Sequence, residues 1–256
     1  MRNRRRFAVI TALAAAGALA VAGVAIAATT SSFSFKMSPS TAPKTTYKAG
    51  HLFTDLETHY TNPGNAVPGG AVDRTQIFLD KNFKINTGAA KTCAANKLSN
   101  QTMKGAMANC KNALVGTGTA QATANGAFNI NGCVLLFNGQ PQGGKPTLQV
   151  FTRVQASNPS TMSCANPSTN TKGNATILLT GVLKPATGLY GKVLDVQHIT
   201  QAATFPLTIF KTTIGKGNYI STRCAATNKT WNMKTTWTYN NGKTFSQAKT
   251  QKCTVG

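Results

Sequence analysis

The sequence predicts an all-β fold, a two-sheet antiparallel β-sandwich of jelly-roll type with one short helix and a set of disulfide staples. Three observations predict it. Apolar and polar residues alternate with period two over many short runs rich in β-branched and aromatic residues, the pattern of strands with one face buried. Asn-Gly pairs punctuate the runs, and both residues tolerate the positive φ of tight hairpins. Six cysteines, an even number, lie behind a leader that directs the chain to an oxidising compartment.

The leader comes first. Met1 to Arg6 reads MRNRRR, a basic start, and Phe7 to Ala27 is uncharged, Ala- and Val-rich, and ends in Ala25-Ile26-Ala27. Small residues at those two positions are what signal peptidase reads, so residues 1–27 are expected to be a signal peptide and 28–256 one secreted domain. Cleavage removes four arginines and takes the net charge from +22 to +18. The alternative is an uncleaved anchor, since the apolar run is long enough to span a bilayer. In that case the membrane is a partner through this segment alone. Arg4-Arg5-Arg6-Phe7 loosely resembles a twin-arginine signal, but basic starts produce such pairs by chance. No cysteine precedes Cys93, which argues against a bacterial lipid anchor, and the chain ends in a polar run rather than a hydrophobic tail.

Strands follow. Alternation is clear in Phe33 to Met37, Thr75 to Leu79, Leu148 to Val154 and Trp231 to Tyr239. The denser runs Cys133 to Phe137 and Thr176 to Leu179 suggest central strands. Hairpin turns are expected at Asn125-Gly126, Asn131-Gly132, Asn138-Gly139 and Asn241-Gly242, with further loops at Asn62-Pro63-Gly64 and Pro68-Gly69-Gly70. Ser157 to Asn174 reads as a long loop pinned by Cys164. The total is about a dozen strands. One helix stands out between Ser99 and Cys110, where Met103, Ala106, Met107 and Cys110 fall at i, i+3, i+4 and i+7, with Ser99 as N-cap. It is expected to cover a sheet edge or barrel end.

The cysteines are Cys93, Cys110, Cys133, Cys164, Cys224 and Cys253. Six allow fifteen pairings, among which spacing does not choose; the expectation taken is nearest neighbours, Cys93–Cys110, Cys133–Cys164 and Cys224–Cys253. Each would close a modest loop and stabilise by about 3 kcal/mol. Zinc is not expected, because there is no C-x-x-C pair and no His stands at ligand spacing from a Cys.

Composition narrows the chemistry. There are 27 Lys and Arg against 5 Asp and Glu, and 41% apolar residues, enough for a packed core. Much enzyme chemistry draws on carboxylates, so an enzyme is the less favoured class and no catalytic residue or cofactor is assigned. The densest chemistry is His51-Leu52-Phe53-Thr54-Asp55-Leu56-Glu57-Thr58-His59. On an unbroken strand His51, Asp55, Glu57 and His59 share one face. Neighbours on it are about 7 Å apart, so they could hold a divalent cation or act as an acid–base pair; the competing reading is a solvated face whose acids meet lysines. Asp195 and His198 are three apart and point to opposite faces. Gly139 to Lys145 has the spacing of a phosphate-binding loop, but Pro146 replaces the needed Ser or Thr and a strand follows, so it reads as a hairpin. Trp231, Met233, Trp237 and Tyr239 share a strand face. Exposed, Trp231, Trp237 and Tyr239 would stack on sugar rings; buried, they are core.

Charge is the global feature that asks for a partner. It favours encounter with polyanions such as acidic surface polysaccharides. Lysines are scattered rather than blocked, so no dedicated nucleic-acid groove is expected. Several runs together resemble a group of secreted β-rich proteins of actinobacteria with no assigned activity. They are Leu79 to Asn86, Cys93 and Cys110 around a short helix, Val115 to Ala120, Leu136 to Gly139, Tyr190 to Val196, and Cys224 and Cys253 flanking Trp237 to Gly242. The resemblance implies a secreted β fold with Cys93–Cys110 and Cys224–Cys253 bonded, Cys133 and Cys164 being an addition, and implies no chemistry. The expected function is a non-enzymatic extracellular or cell-envelope protein that binds anionic or carbohydrate surface polymers. The alternative is a glycan-active hydrolase using Asp55, Glu57 and His59.

Overall fold

The structure is a computed structural model and describes residues 30–59, 71–124, 128–155, 164, 166–173, 175–197, 199, 207–225 and 229–256. The expected leader, the loops at 62–64 and 68–70, the Asn125-Gly126 turn and His198 lie outside the described residues. Fifteen strands are described: β1 Thr30–Ser38, β2 Thr41–Ala42, β3 Lys48–His59, β4 Val72–Asp80, β5 Phe83–Ile85, β6 Leu114–Ala124, β7 Phe128–Gln142, β8 Lys145–Gln155, β9 Ala175–Pro185, β10 Tyr190–Val196, β11 Leu207–Ile214, β12 Ile220–Thr222, β13 Thr230–Tyr239, β14 Thr244–Lys252 and β15 Thr254–Val255. One α-helix, α1, covers Met103–Cys110.

Thirteen strands form one antiparallel sheet in the order β14-β13-β4-β10-β9-β8-β7-β6-β11-β3-β12-β5, with β1 also on β3; β15 and β2 make a small parallel pair. The all-β, antiparallel, disulfide-linked part of the expectation holds. The main sheet is one hydrogen-bonded path, and it curls until β1 lies against β14. There the contact is made by side chains. Gln247 Oε1 accepts from the Phe33 amide at 2.5 Å, and Gln251 accepts from the Met37 amide at 2.5 Å while donating to the Met37 carbonyl at 2.9 Å.

Period two decides what faces inward. In β3, Gly50, Leu52, Thr54, Leu56 and Thr58 are buried while the residues between them are exposed or half-buried. In β13, Trp231, Met233, Thr235, Trp237 and Tyr239 are buried in the same way. β7 is apolar without alternation because both its faces are covered. Val134 and Leu136 join the main core, whereas Cys133, Leu135 and Phe137 join a second cluster with Leu98, Met103 and Met107. The helix therefore packs on the outer face of β7 and β8 rather than over an edge. Its buried stripe is Met103, Ala106, Met107 and Cys110, as the spacing implies. It starts later than expected, because Thr102 rather than Ser99 caps it, accepting from the Gly105 amide at 3.0 Å. Ser99 is spent on the preceding turn, where its hydroxyl donates to Ala95 O.

Two expected turns are corrected. Asn131-Gly132 and Asn138-Gly139 lie inside β7, which runs straight through both. At Gly139 the cause is close approach, since a Cβ there would sit 2.1 Å from Thr147 Oγ1 on β8. Asn138 is buried and its amide donates to Thr87 O and Ala90 O, stitching that loop to the sheet. The turn at Asn241-Gly242 does form, with Gly242 at φ +80°. The segment with phosphate-loop spacing is the β7–β8 hairpin. The disulfides are Cys93–Cys110, Cys133–Cys164 and Cys224–Cys253, the nearest-neighbour set, and they account for all the described cysteines. No helix among the described residues is long and apolar enough to cross a membrane.

Candidate functional site

The outward row of β3 is as the sequence implied: an unbroken strand carries His51, Phe53, Asp55, Glu57 and His59 toward solvent. Strand pairing sets Lys211 of β11 directly beside Asp55. Its ammonium donates to Asp55 Oδ2 at 2.9 Å and lies 3.4 Å from Glu57 Oε1. The hydrogen bond to Asp55 holds the Lys211 pKa above its ordinary value. His59 Nε2 is 3.9 Å from Glu57 Oε2. His51 is four residues from Asp55, about 13 Å along the strand, and does not join them. Among the described residues no three His, Cys, Asp or Glu side chains converge as metal ligands. The row is a solvated face whose acids meet a lysine.

The aromatic row of β13 faces the other way. Trp231, Trp237 and Tyr239 are 0%, 2% and 6% exposed. Phe83 packs edge-on against Trp231, and Phe245 stacks on Trp237. Rings enclosed in this way present no face to a sugar, so of the two readings of this row the buried one, core, is what the structure shows.

Asp195 gathers the densest polar cluster, which local sequence does not announce. It lies on the outer side of β10, with its side chain 1% exposed. Arg74 of β4 donates to both its oxygens at 2.6 and 2.8 Å, Lys184 of β9 forms a further ion pair, and Gln197 donates at 3.1 Å. Burial pushes the Asp195 carboxyl up. The hydrogen bonds from Arg74, Lys184 and Gln197, with the Arg74 charge, outweigh that and hold its pKa at about 2. A carboxylate held by two cations is a poor proton acceptor, and the cluster joins three adjacent strands. Asp80 is likewise buried and saturated: the backbone and side-chain amides of Asn82 and Asn232 donate to it at 2.7 to 3.0 Å.

No family model, curated protein or solved structure matches the chain.

What remains is the placement of charge. Residues 81–194 contain no Asp or Glu. This acid-free stretch includes α1, and around that helix it exposes Lys91, Lys97, Lys104 and Lys111. Lys104 lies in the first turn of α1, and Lys111 directly follows the helix. Lys97 O accepts from Asn109 Nδ2 at 2.9 Å, and the Lys91 amide donates to Asn112 O at 3.1 Å, so the backbone of both lysines lies beside the end of α1 and the residues that follow it. The Cys93–Cys110 bond braces this segment. These four exposed lysines fall within residues 91–111, in and beside the helical segment. A count of acids by segment, rather than of lysines by run, is the signal that finds them.

Proposed function

We propose that the protein is a secreted, non-enzymatic extracellular or cell-envelope protein that binds anionic surface polymers, with the lysines around α1 as its contact surface. One observation carries this reading: an acid-free stretch of 81–194 sets four exposed lysines in and beside the disulfide-braced helical segment. Such a surface draws polyanions by long-range attraction and counterion release. The three disulfides and the signal-like leader support an oxidising destination. The kinship with secreted actinobacterial β proteins belongs to the same proposal, as does the two-layer architecture. With β1 lying against β14, one run of strands faces another across the core.

The test is retention on an immobilised polyanion, heparin or a polyglycerol phosphate. Binding is expected at about 0.1 M salt and release by about 0.5 M, because screening removes the attraction. The triple variant Lys97→Gln, Lys104→Gln, Lys111→Gln should elute at lower salt and flatten the dependence of log K on log salt. Salt-insensitive binding to a neutral glycan would overturn the proposal. Polymer turnover that disappears in Glu57→Gln would replace it with the hydrolase reading.

A further inference from the structure

Eleven strands follow one another around the core in the order β1-β3-β11-β6-β7-β8-β9-β10-β4-β13-β14. A ring of eight strands is just wide enough for its own side chains to fill, and diameter grows with strand number. Eleven strands enclose more than their inward side chains occupy. The surplus is a cavity of about 110 Å³ lined by residues such as Leu52 and Leu56 of β3, Ile77 of β4, Leu179 of β9, Phe210 of β11 and Trp237 of β13. Ile77, Leu179 and Phe210 belong to the core yet remain only partly buried. Native cores seldom leave a void larger than a water molecule.

The lining shows what would enter. None of the described lining residues carries a charge. Most of its hydroxyls are already paired: Thr54 with Thr212 at 2.7 Å, Thr58 with Ser31 at 3.1 Å, Thr208 donating to Gln121 O at 3.0 Å and Tyr219 donating to Asn138 Oδ1 at 3.3 Å. Water in such a space would find few open partners, and an ion would find no counter-charge. An apolar cavity of about 150 Å³ stays dry and takes benzene. We infer that the cavity is a binding site for a small uncharged hydrocarbon group, a single ring or an alkyl segment of about four to six carbons, either free or as the end of a longer chain. The inference is independent of the polyanion reading, since its ligand is neutral and its site is lined by apolar core side chains.

Trp237 lines the cavity and is one of two tryptophans in the chain, so it is a built-in reporter. Benzene titrated into the unaltered protein should shift tryptophan fluorescence saturably and raise Tm by about 3 °C at ten times its dissociation constant. Leu179→Phe, which fills the space, should weaken the response at least tenfold. A series of linear alcohols separates the two sources: affinity that levels off near six carbons marks a small free ligand, and affinity that keeps rising marks the end of a longer chain. Absence of a saturable response, or an undiminished response in folded Leu179→Phe, overturns the inference. Should that variant not fold, xenon-pressurised crystals of the unaltered protein decide, density inside the ring supporting the site and an empty cavity refuting it.

Discussion

Asp55 and Glu57 show how far a single residue can be read from its neighbours in the chain. Period two places them on one face, and the structure agrees. Lys211, which pairs with both, comes from a distant segment and is set by strand register. Asp195 makes the same point more strongly, because Arg74 and Lys184 reach it from two flanking strands that no local pattern links to it. Its titration has a stability consequence. An unfolded Asp titrates near 4, whereas the folded carboxyl titrates at about 2. The stabilisation is thus fully present above about pH 4 and is lost as pH falls through about 2. Asp195→Asn should cost about 2 kcal/mol in urea unfolding at pH 7, since two half-exposed cations lose their shared acceptor. The gap between variant and parent should close below about pH 2. A gap that persists there would show that the loss is packing rather than charge.

Elements were legible where pattern and burial coincide. The runs at 33–37, 75–79, 148–154, 176–179 and 231–239 all lie in strands, and the helix stripe from Met103 to Cys110 is buried as its spacing implies. The misread positions are those where one residue type serves two purposes. Asn138-Gly139 has turn chemistry, but Gly139 admits Thr147 and Asn138 ties a loop to the sheet. The meeting of β1 and β14 was also illegible, because glutamine side chains rather than a backbone ladder make it. Gln251 supplies both a donor and an acceptor to Met37, so Gln251→Ala leaves two backbone groups of β1 without their partner. The expected cost is about 1–3 kcal/mol. Hydrogen exchange of the Phe33 and Met37 amides should speed up while amides of β7 and β8 keep their rates. Equal acceleration everywhere would mean that the seam is not a local feature.

At the scale of the molecule, disulfides and charge act in opposite senses. A large excess of like charge opposes compaction, and three cross-links restrict the unfolded chain. Cys224–Cys253 spans 29 residues and joins the segment after β12 to the C-terminal end of the chain. Replacing both cysteines by serine should lower stability by about 3–4 kcal/mol and Tm by about 10 °C. Calorimetry in low and high salt checks this, and the loss should be smaller in high salt, where repulsion is screened. An unchanged Tm would show that β13 and β14 hold that end of the chain without the bond.

Periodicity and composition settled the strand content, the inward and outward faces, and the excess of positive charge, because each depends on near neighbours or on simple counting. Ring closure, the cavity within it, and the partners of Asp195 and Asp55 came from the folded chain. Each of those depends on which remote strands lie side by side, and pairing between remote strands is decided by the packing of the whole sheet.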